Sequence, residues 1–447
     1  MFRALRSSIR KYKLTFTIIP LGGAQEIGRN CFAIDINRKI VILDMGFHLE
    51  RFIELTETDF PNKKHSLRQF ISSGALPNIR LLRKRKKDVV GIVCSHAHLD
   101  HVAGIPFLAK RFNCDVHATP FTGQLIRSLA EDRGVKVSIK QHAPKSTFMI
   151  GEIKIEFIPI AHSTPQTVAV AIHTSNGVVL YANDFKNDQS PPFEEATDIK
   201  RLAELKGKVK VLLLDSLYAP RNEFCPSERI AQKKLNDLVP KLSEYRAIIA
   251  STFSSHIYRL RELCDVADTL QRKVVFVGRS LARYIAAAKE ADVVDLTQRG
   301  SVLKFANQAR NFFAKLQHPE EYFFIVTGHQ GEPQAVLNRM ADGLFSFTAK
   351  DVVIFSCQII PVPISLQNRA KLEDKLHAKK VNLFTDVHVS GHAFAKDHQA
   401  LLSLLEPEFV LPIHGEPKMI RAMEKLIKNH SQAKPVILSV GERKAFS

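Results

Sequence analysis

Ser95-His96-Ala97-His98-Leu99-Asp100-His101 follows directly on the apolar run 89–94. That run is short, continuous and rich in β-branched residues, so it reads as a buried strand. A strand that delivers His-x-His-x-Asp-His into the loop at its end can hand ligands to two neighbouring ions. His96 and His98 serve one, and Asp100 and His101 the other. The bland alternative is a solvated His-rich turn or a set of core histidines. It is disfavoured because charge-bearing groups rarely crowd a strand end without a task.

A dinuclear site needs more ligands, and other strand ends supply them. The run 155–160 leads into Ala161-His162-Ser163-Thr164-Pro165, the run 178–182 into Asn183-Asp184-Phe185-Lys186, and the run 409–413 into His414-Gly415-Glu416. Taken singly, each such His or Asp is more simply a hydrogen-bonded core or turn residue. Taken with the first cluster, they complete a set.

The chain has 447 residues, enough for two or three domains by the rough rule of ~150 residues each. No apolar run approaches the ~20 residues of a membrane span, and no signal-like segment opens the chain, so a cytoplasmic protein is expected. The six cysteines, Cys31, Cys94, Cys114, Cys225, Cys264 and Cys357, form no C-x-x-C pair. They read as buried free thiols rather than as a disulfide framework or thiolate zinc site. The formal charge of +19 calls for a polyanionic partner, and nucleic acid fits best. Two basic runs, 3–13 and 80–87, stand out, and each reads equally well as a solvated loop or terminal extension.

Up to about residue 214 the pattern is mostly strands, at 14–19, 32–36, 39–43, 89–94, 153–158, 168–173, 178–182 and 210–214, with a helix at 122–132. Past Asp215 the texture changes. Strand-like 247–251, 274–277, 322–326 and 352–355 each precede a helical segment, at 258–271, 282–290, 334–340 and 365–377. That alternation predicts a parallel, doubly wound sheet. His414 lies beyond this block yet must join ligands that lie before it. The economical solution is an inserted domain.

In order and spacing, His96-x-His98-x-Asp100-His101, His162, Asp184 and His414 resemble the metal motifs of the metallo-β-lactamase superfamily. Five further stretches resemble its β-CASP branch and, within it, the ribonuclease J family. They are Gly22-Gly23-Ala24-Gln25-Glu26-Ile27-Gly28-Arg29-Asn30, Asp215-Ser216, Thr252-Phe253-Ser254-Ser255, Thr327-Gly328-His329-Gln330-Gly331-Glu332-Pro333 and Val387-His388-Val389-Ser390-Gly391-His392. The resemblance runs from about Leu14 to the C-terminal end. It implies an α/β protein in which residues 1–217 and 381–447 form an αββα metallo-β-lactamase sandwich. An α/β β-CASP domain, 218–380, is inserted between them. The active site then lies in the cleft between domains, where an extended strand of RNA can be enclosed.

The same resemblance implies two zinc ions per subunit, one held by His96, His98 and His162, the other by Asp100, His101 and His414, with Asp184 bridging and Asp44 behind the ligands. Water is then the nucleophile. His392 resembles the general acid and phosphate ligand, with Asp215 orienting it and His388 as the alternative donor. Ser255, Ser390 and the Gly391 amide resemble a pocket for a terminal phosphate, which neutral donors can cradle. The activity implied is a zinc-dependent 5′-to-3′ exoribonuclease acting on single-stranded RNA, preferring a 5′-monophosphate, in RNA decay and processing. A homodimer is implied as well. A β-CASP endonuclease of the cleavage-factor kind shares every metal motif and is the alternative. A small-molecule hydrolase fits the inserted block and the charge less well. A catalytically dead RNA-binding subunit predicts lost ligands, and none is lost.

Some positions depart from the family pattern. Asn183 stands where many superfamily members have glycine, and His256 where bacterial relatives commonly have asparagine. The chain ends soon after His414, whereas bacterial ribonuclease J continues into another domain. With Leu99 inside the first motif, this resembles the archaeal branch, without the N-terminal KH domains of archaeal cleavage-factor relatives.

Overall fold

The computed structural model describes residues 15–55, 65–193 and 195–447. The basic run 3–13 and Leu14 lie outside the described residues.

Two seven-stranded sheets stack face to face. The first runs, edge to edge, Lys444–Phe446, Phe16–Gly22, Cys31–Ile36, Lys39–Leu43, Val89–Val93, Asp115–Ala118 and Ile139–Gln141. The second runs Lys434–Pro435, Phe409–Ile413, Val209–Asp215, Gly177–Ala182, Val168–Thr174, Ile153–Pro159 and Thr147–Ile150. Alternate residues of facing strands make the layer between them: Phe16, Ile18, Phe32 and Val93 meet Phe157, Val170, Tyr181 and Leu213. The intervening residues, such as Ile19, Leu21, Ile40 and Ile92, pack outward under helices. Both faces of the strands are thus covered, which is why the strands read as near-continuous apolar runs.

The third sheet has six strands, ordered Gly300–Leu303, Lys273–Val277, Tyr322–Val326, Ile248–Ser251, Val352–Phe355 and Asn382–Phe384, all parallel. This is the doubly wound block expected from the alternation past Asp215. It is an insertion: the chain leaves the second sheet at Asp215 and re-enters it at Phe409, in parallel register with Asp215 opposite Ile413. The strand Asn382–Phe384 still belongs to the inserted sheet, just beyond the limit expected at residue 380. Leu125 and Ile126 of the helix Pro120–Glu131 share one apolar cluster with Tyr284 and Ile285 of the helix Arg279–Glu290, so insertion and sandwich share a core.

Differences from the sequence pattern concern short elements. The helix expected at 334–340 is a single turn, Val336–Arg339, that widens into Met340–Leu344, where Gly343 sits at φ 113°. Edge strands Ile139–Gln141, Thr147–Ile150 and Lys444–Phe446 are too brief to show a period. The last of these carries Phe446, whose ring stacks 5.4 Å from Phe16 at the end of the intersheet layer. All six cysteines are free, as expected. Among the described residues no helix is long and apolar enough to cross a membrane.

Candidate active site

Parallel pairing brings the ligand-bearing loops to one end of the sandwich. Leu43 pairs with Val93, so Asp44 and the loop from Ser95 leave the first sheet side by side. Ala182 pairs with Leu214, and Asp215 with Ile413, which sets Asp184, Asp215 and His414 at the matching end of the second sheet.

Asp184 is the centre. Its Oδ2 lies 3.4 Å from His96 Nε2, 3.5 Å from His162 Nε2 and 3.9 Å from His98 Nδ1. Its Oδ1 lies 3.3 Å from His101 Nε2 and 3.9 Å from His414 Nε2, and it is buried without a hydrogen-bond partner. Each carboxylate oxygen therefore faces its own group: His96, His98 and His162 on one side, Asp100, His101 and His414 on the other. His98 Nδ1 stands 3.1 Å from both His96 Nε2 and His162 Nε2. A single ring proton can serve one of those contacts, whereas a cation between the rings satisfies all of them. In the second group the Asn30 amide nitrogen reaches His414 Nδ1 at 2.9 Å, His101 Nε2 at 3.0 Å and Asp100 Oδ2 at 3.3 Å. Its two hydrogens cannot serve all three contacts. Five imidazoles and two carboxylates of this kind suit a divalent metal.

The rings are held by partners behind them. His162 Nδ1 donates to the Gly391 carbonyl at 2.7 Å and His101 Nδ1 to Asp44 Oδ2 at 2.7 Å, which turns each Nε2 toward Asp184. Asp44 is fully buried and also accepts from Ser95 N at 2.8 Å, Ser95 Oγ at 2.7 Å and Tyr181 Oη at 2.8 Å. It occupies the left-handed region at φ 55°, as His414 does at φ 51°. Such strain costs on the order of 1–3 kcal/mol and persists where surrounding contacts enforce it. Gly46 permits the loops to close, since a Cβ there would stand 1.6 Å from the Asp100 carbonyl oxygen.

Electrostatics divide the two groups. Burial, reinforced by neighbouring His101, lowers His96 to about 4, and burial with neighbouring His98 takes His162 well below the usual imidazole range. Both rings are therefore neutral, as ligation requires. Burial opposes charge on His101 too, but the Asp184, Asp100 and Asp44 carboxylates outweigh it and raise its pKa well above the ordinary value. Asp184 is itself held ionised, because His101 and His414 overcome its burial.

The remaining residues flank this cluster. His392 Nδ1 lies 2.9 Å from Asp215 Oδ2, and its Nε2 points at Asp184 Oδ2 from 3.8 Å. Burial disfavours charge on His392, yet the Asp184 and Asp215 carboxylates prevail and raise it to about 9. Ser390 Oγ accepts from His392 N at 3.0 Å, and Ser255 Oγ stands 3.0 Å from His98 Nε2. Ser255, Ser390, Gly391 and His392 are thus brought against the histidine cluster. His388 is not. Its Nδ1 is buried without a partner, and burial together with Arg259 drives its pKa well below the ordinary value.

Both departures from the family pattern have physical roles. His256 caps the helix Ile257–Thr269 by accepting from Arg259 N at 3.1 Å, a task that asparagine also performs. Asn183 donates to Tyr181 Oη at 2.8 Å, extending the chain of bonds behind Asp44. Asn30 and Tyr181 are the site residues that sequence reasoning missed. Asn30 lay inside a quoted motif, but Tyr181 was one apolar strand position among many.

Family models match in three stretches: "Beta-lactamase superfamily domain" over residues 61–239, "Ribonuclease J, beta-CASP domain" over 245–369, and "Zn-dependent metallo-hydrolase RNA specificity domain" over 380–445. Ribonuclease J of Pyrococcus abyssi is 39% identical over 416 residues, covering 90% of each chain. The chain belongs to the ribonuclease J family. Ribonuclease J of Methanocaldococcus jannaschii is 36% identical, covering 92% of this chain and 93% of its own. That of Helicobacter pylori strain J99 is 31% identical and spans 90% of this chain but 56% of its own length. Among solved structures, a protein of unknown function from Enterococcus faecalis V583 shares the fold, with a TM-score of 0.68 at 16% identity over 97% of this chain and 100% of that one. Membership makes this a metal-dependent nuclease, with a metallo-β-lactamase domain interrupted by a β-CASP domain.

Asp44→Asn sets an amide N–H₂ against donors that all point inward. It is expected to weaken metal affinity about 10- to 100-fold. Metal titration followed by intrinsic fluorescence, with circular dichroism as the fold control, checks this.

Proposed function

We propose that this chain is a two-zinc ribonuclease that removes nucleotides one at a time from the 5′ end of single-stranded RNA and favours a 5′-monophosphate. The observation that carries this reading is the direct contact between the candidate phosphate pocket and the histidine cluster: Ser255 Oγ to His98 Nε2 at 3.0 Å, and the Gly391 carbonyl to His162 Nδ1 at 2.7 Å. A terminal phosphate seated there leaves the first linkage of the chain beside Asp184.

His96, His98 and His162 would hold one zinc, and Asp100, His101 and His414 the other, with Asp184 facing both groups. When bound, such a pair of ions activates water and neutralises charge that builds at phosphorus. His392 gives its Nε2 proton to the departing ribose oxygen. Asp215 holds the ring in place through Nδ1. Ser255, Ser390 and the Gly391 amide receive the terminal phosphate. A 5′-hydroxyl leaves these donors unpaired, and a triphosphate adds bulk and charge, so both react more slowly.

We extend the reading to a homodimer working in the cytoplasm, in RNA decay and processing. Residues 1–217 and 381–447 are proposed as the metallo-β-lactamase unit and 218–380 as the β-CASP unit, with the strand Asn382–Phe384 travelling with the latter.

His392→Ala is expected to slow the chemical step by roughly 10²-fold or more while zinc stays bound, because a leaving-group acid acts in the transition state. Single-turnover kinetics beside metal analysis checks this; an unchanged rate assigns the proton to another donor. The 5′-end requirement is tested with a circular RNA and its linear 5′-monophosphorylated counterpart. The circle should survive while the linear form yields mononucleotides. Equal cleavage of both favours the endonuclease reading.

A further inference from the structure

The nuclease reading leaves the basic run 80–87 without a task. In the fold it lies in the turn segment Ile79–Asp88, anchored by buried Ile79 and Leu82. Arg85 is bound inward by Asp35, Asp88 and the Arg38 carbonyl. Arg80, Arg83 and Lys84 face solvent, and among the described residues none makes a hydrogen bond or ion pair. Some other cations of the surface have carboxylates, Lys273 with Glu321, Lys428 with Glu424 and half-buried Arg299 with Asp265 and Asp268, but Arg80, Arg83 and Lys84 have neighbouring cations instead. Unpaired like charges held this close repel one another unless a polyanion offsets them.

These cations also have a shape. Together with Leu81, Arg85 and Arg443 they line a concavity of about 630 Å³. Its two walls are each tied to the strand Phe16–Gly22, Gly441 N donating to the Pro20 carbonyl at 2.9 Å and Asn78 N to the Leu21 carbonyl at 2.8 Å, and a Cβ added at Gly441 would stand 3.3 Å from Leu81.

We propose that Arg80, Arg83, Lys84 and Arg443 form a second RNA site that grips the phosphate backbone of long substrates. Guanidinium forks match phosphodiester oxygens. Among the described residues no aromatic side chain lines the concavity, so the contact is to the phosphate backbone and independent of sequence. The segment feeds the strand Val89–Val93, whose far end launches His96. Five residues at ~3.3 Å each place groove and cleft at opposite ends of a strand roughly 17 Å long. RNA at ~3.4 Å per stacked nucleotide needs more than about five nucleotides to touch both. Short products therefore escape while long chains stay attached between cuts. The proposal rests on RNA being the substrate, but on neither the direction of cutting nor the terminal-phosphate pocket.

The test compares zinc-loaded wild type with the double variant Arg83→Glu and Lys84→Glu, which leaves the Arg85 anchor intact. The charge-matched control is Arg310→Glu with Lys315→Glu, two exposed cations in and just after the helix Ala306–Ala314 of the inserted block. For a 5′-monophosphorylated RNA of about thirty nucleotides, KM should rise roughly tenfold or more in the groove variant, and the salt dependence should flatten by about 0.7 for each phosphate that the groove no longer grips. For one of about four nucleotides, both kcat and KM should match wild type, which also certifies the fold. An unchanged KM on long RNA, or an equal rise in the control, overturns the proposal. A wild type inert on both RNAs would overturn the ribonuclease reading, and this site with it.

Discussion

An ionised carboxylate removed from water needs opposite charge beside it, and Asp184, 3% exposed, is held ionised by His101 and His414 within a ring of imidazoles. Much of the site's architecture serves that requirement. One oxygen meets His96, His98 and His162, the other His101 and His414, and these side chains arrive from both sheets. The crossing of the chain from Asp215 through the inserted domain to Phe409 keeps the two strands parallel and adjacent, so Asp215 and His414 emerge together. Strain at Asp44 and His414 and the close approach at Gly46 are tolerated because the cluster demands them.

The inserted domain meets this centre from the opposite side. Ser255 follows the first strand of its sheet and reaches His98, while the loop that carries Ser390 and Gly391 follows its last strand and reaches His162. The proposed phosphate pocket and the histidine cluster are consequently mechanically joined. A shift of either domain moves a histidine. Buried Arg259 reinforces the joint, donating to Ser356 Oγ at 2.5 Å and to the Val387 carbonyl at 3.1 Å, just before the Ser390 loop.

Much of this was legible in the sequence, and for a physical reason. Ligand-bearing residues at the ends of apolar strands announce themselves, since buried strands give continuous apolar runs and a charged residue at their end stands out. The insertion was legible from His414, whose role required the chain to return. Parallel alternation past Asp215 named the inserted sheet. What stayed hidden depends on three-dimensional closure. Tyr181 is an ordinary strand residue until its hydroxyl meets Asp44. His388 shares its motif with His392, yet it lies beside Arg259, which bonds the Val387 carbonyl, rather than against Asp184. The edge strands at 139–141, 147–150 and 444–446 are set by pairing rather than by pattern.

The proposed site sets Asp184 between two ions. Crystals grown with zinc, with diffraction recorded on either side of the zinc absorption edge, test it most directly. The account predicts two anomalous peaks, one bounded by His96, His98 and His162 and the other by Asp100, His101 and His414, with the Asp184 carboxylate between them. A single peak at full zinc loading, or peaks that leave Asp184 outside, would contradict it.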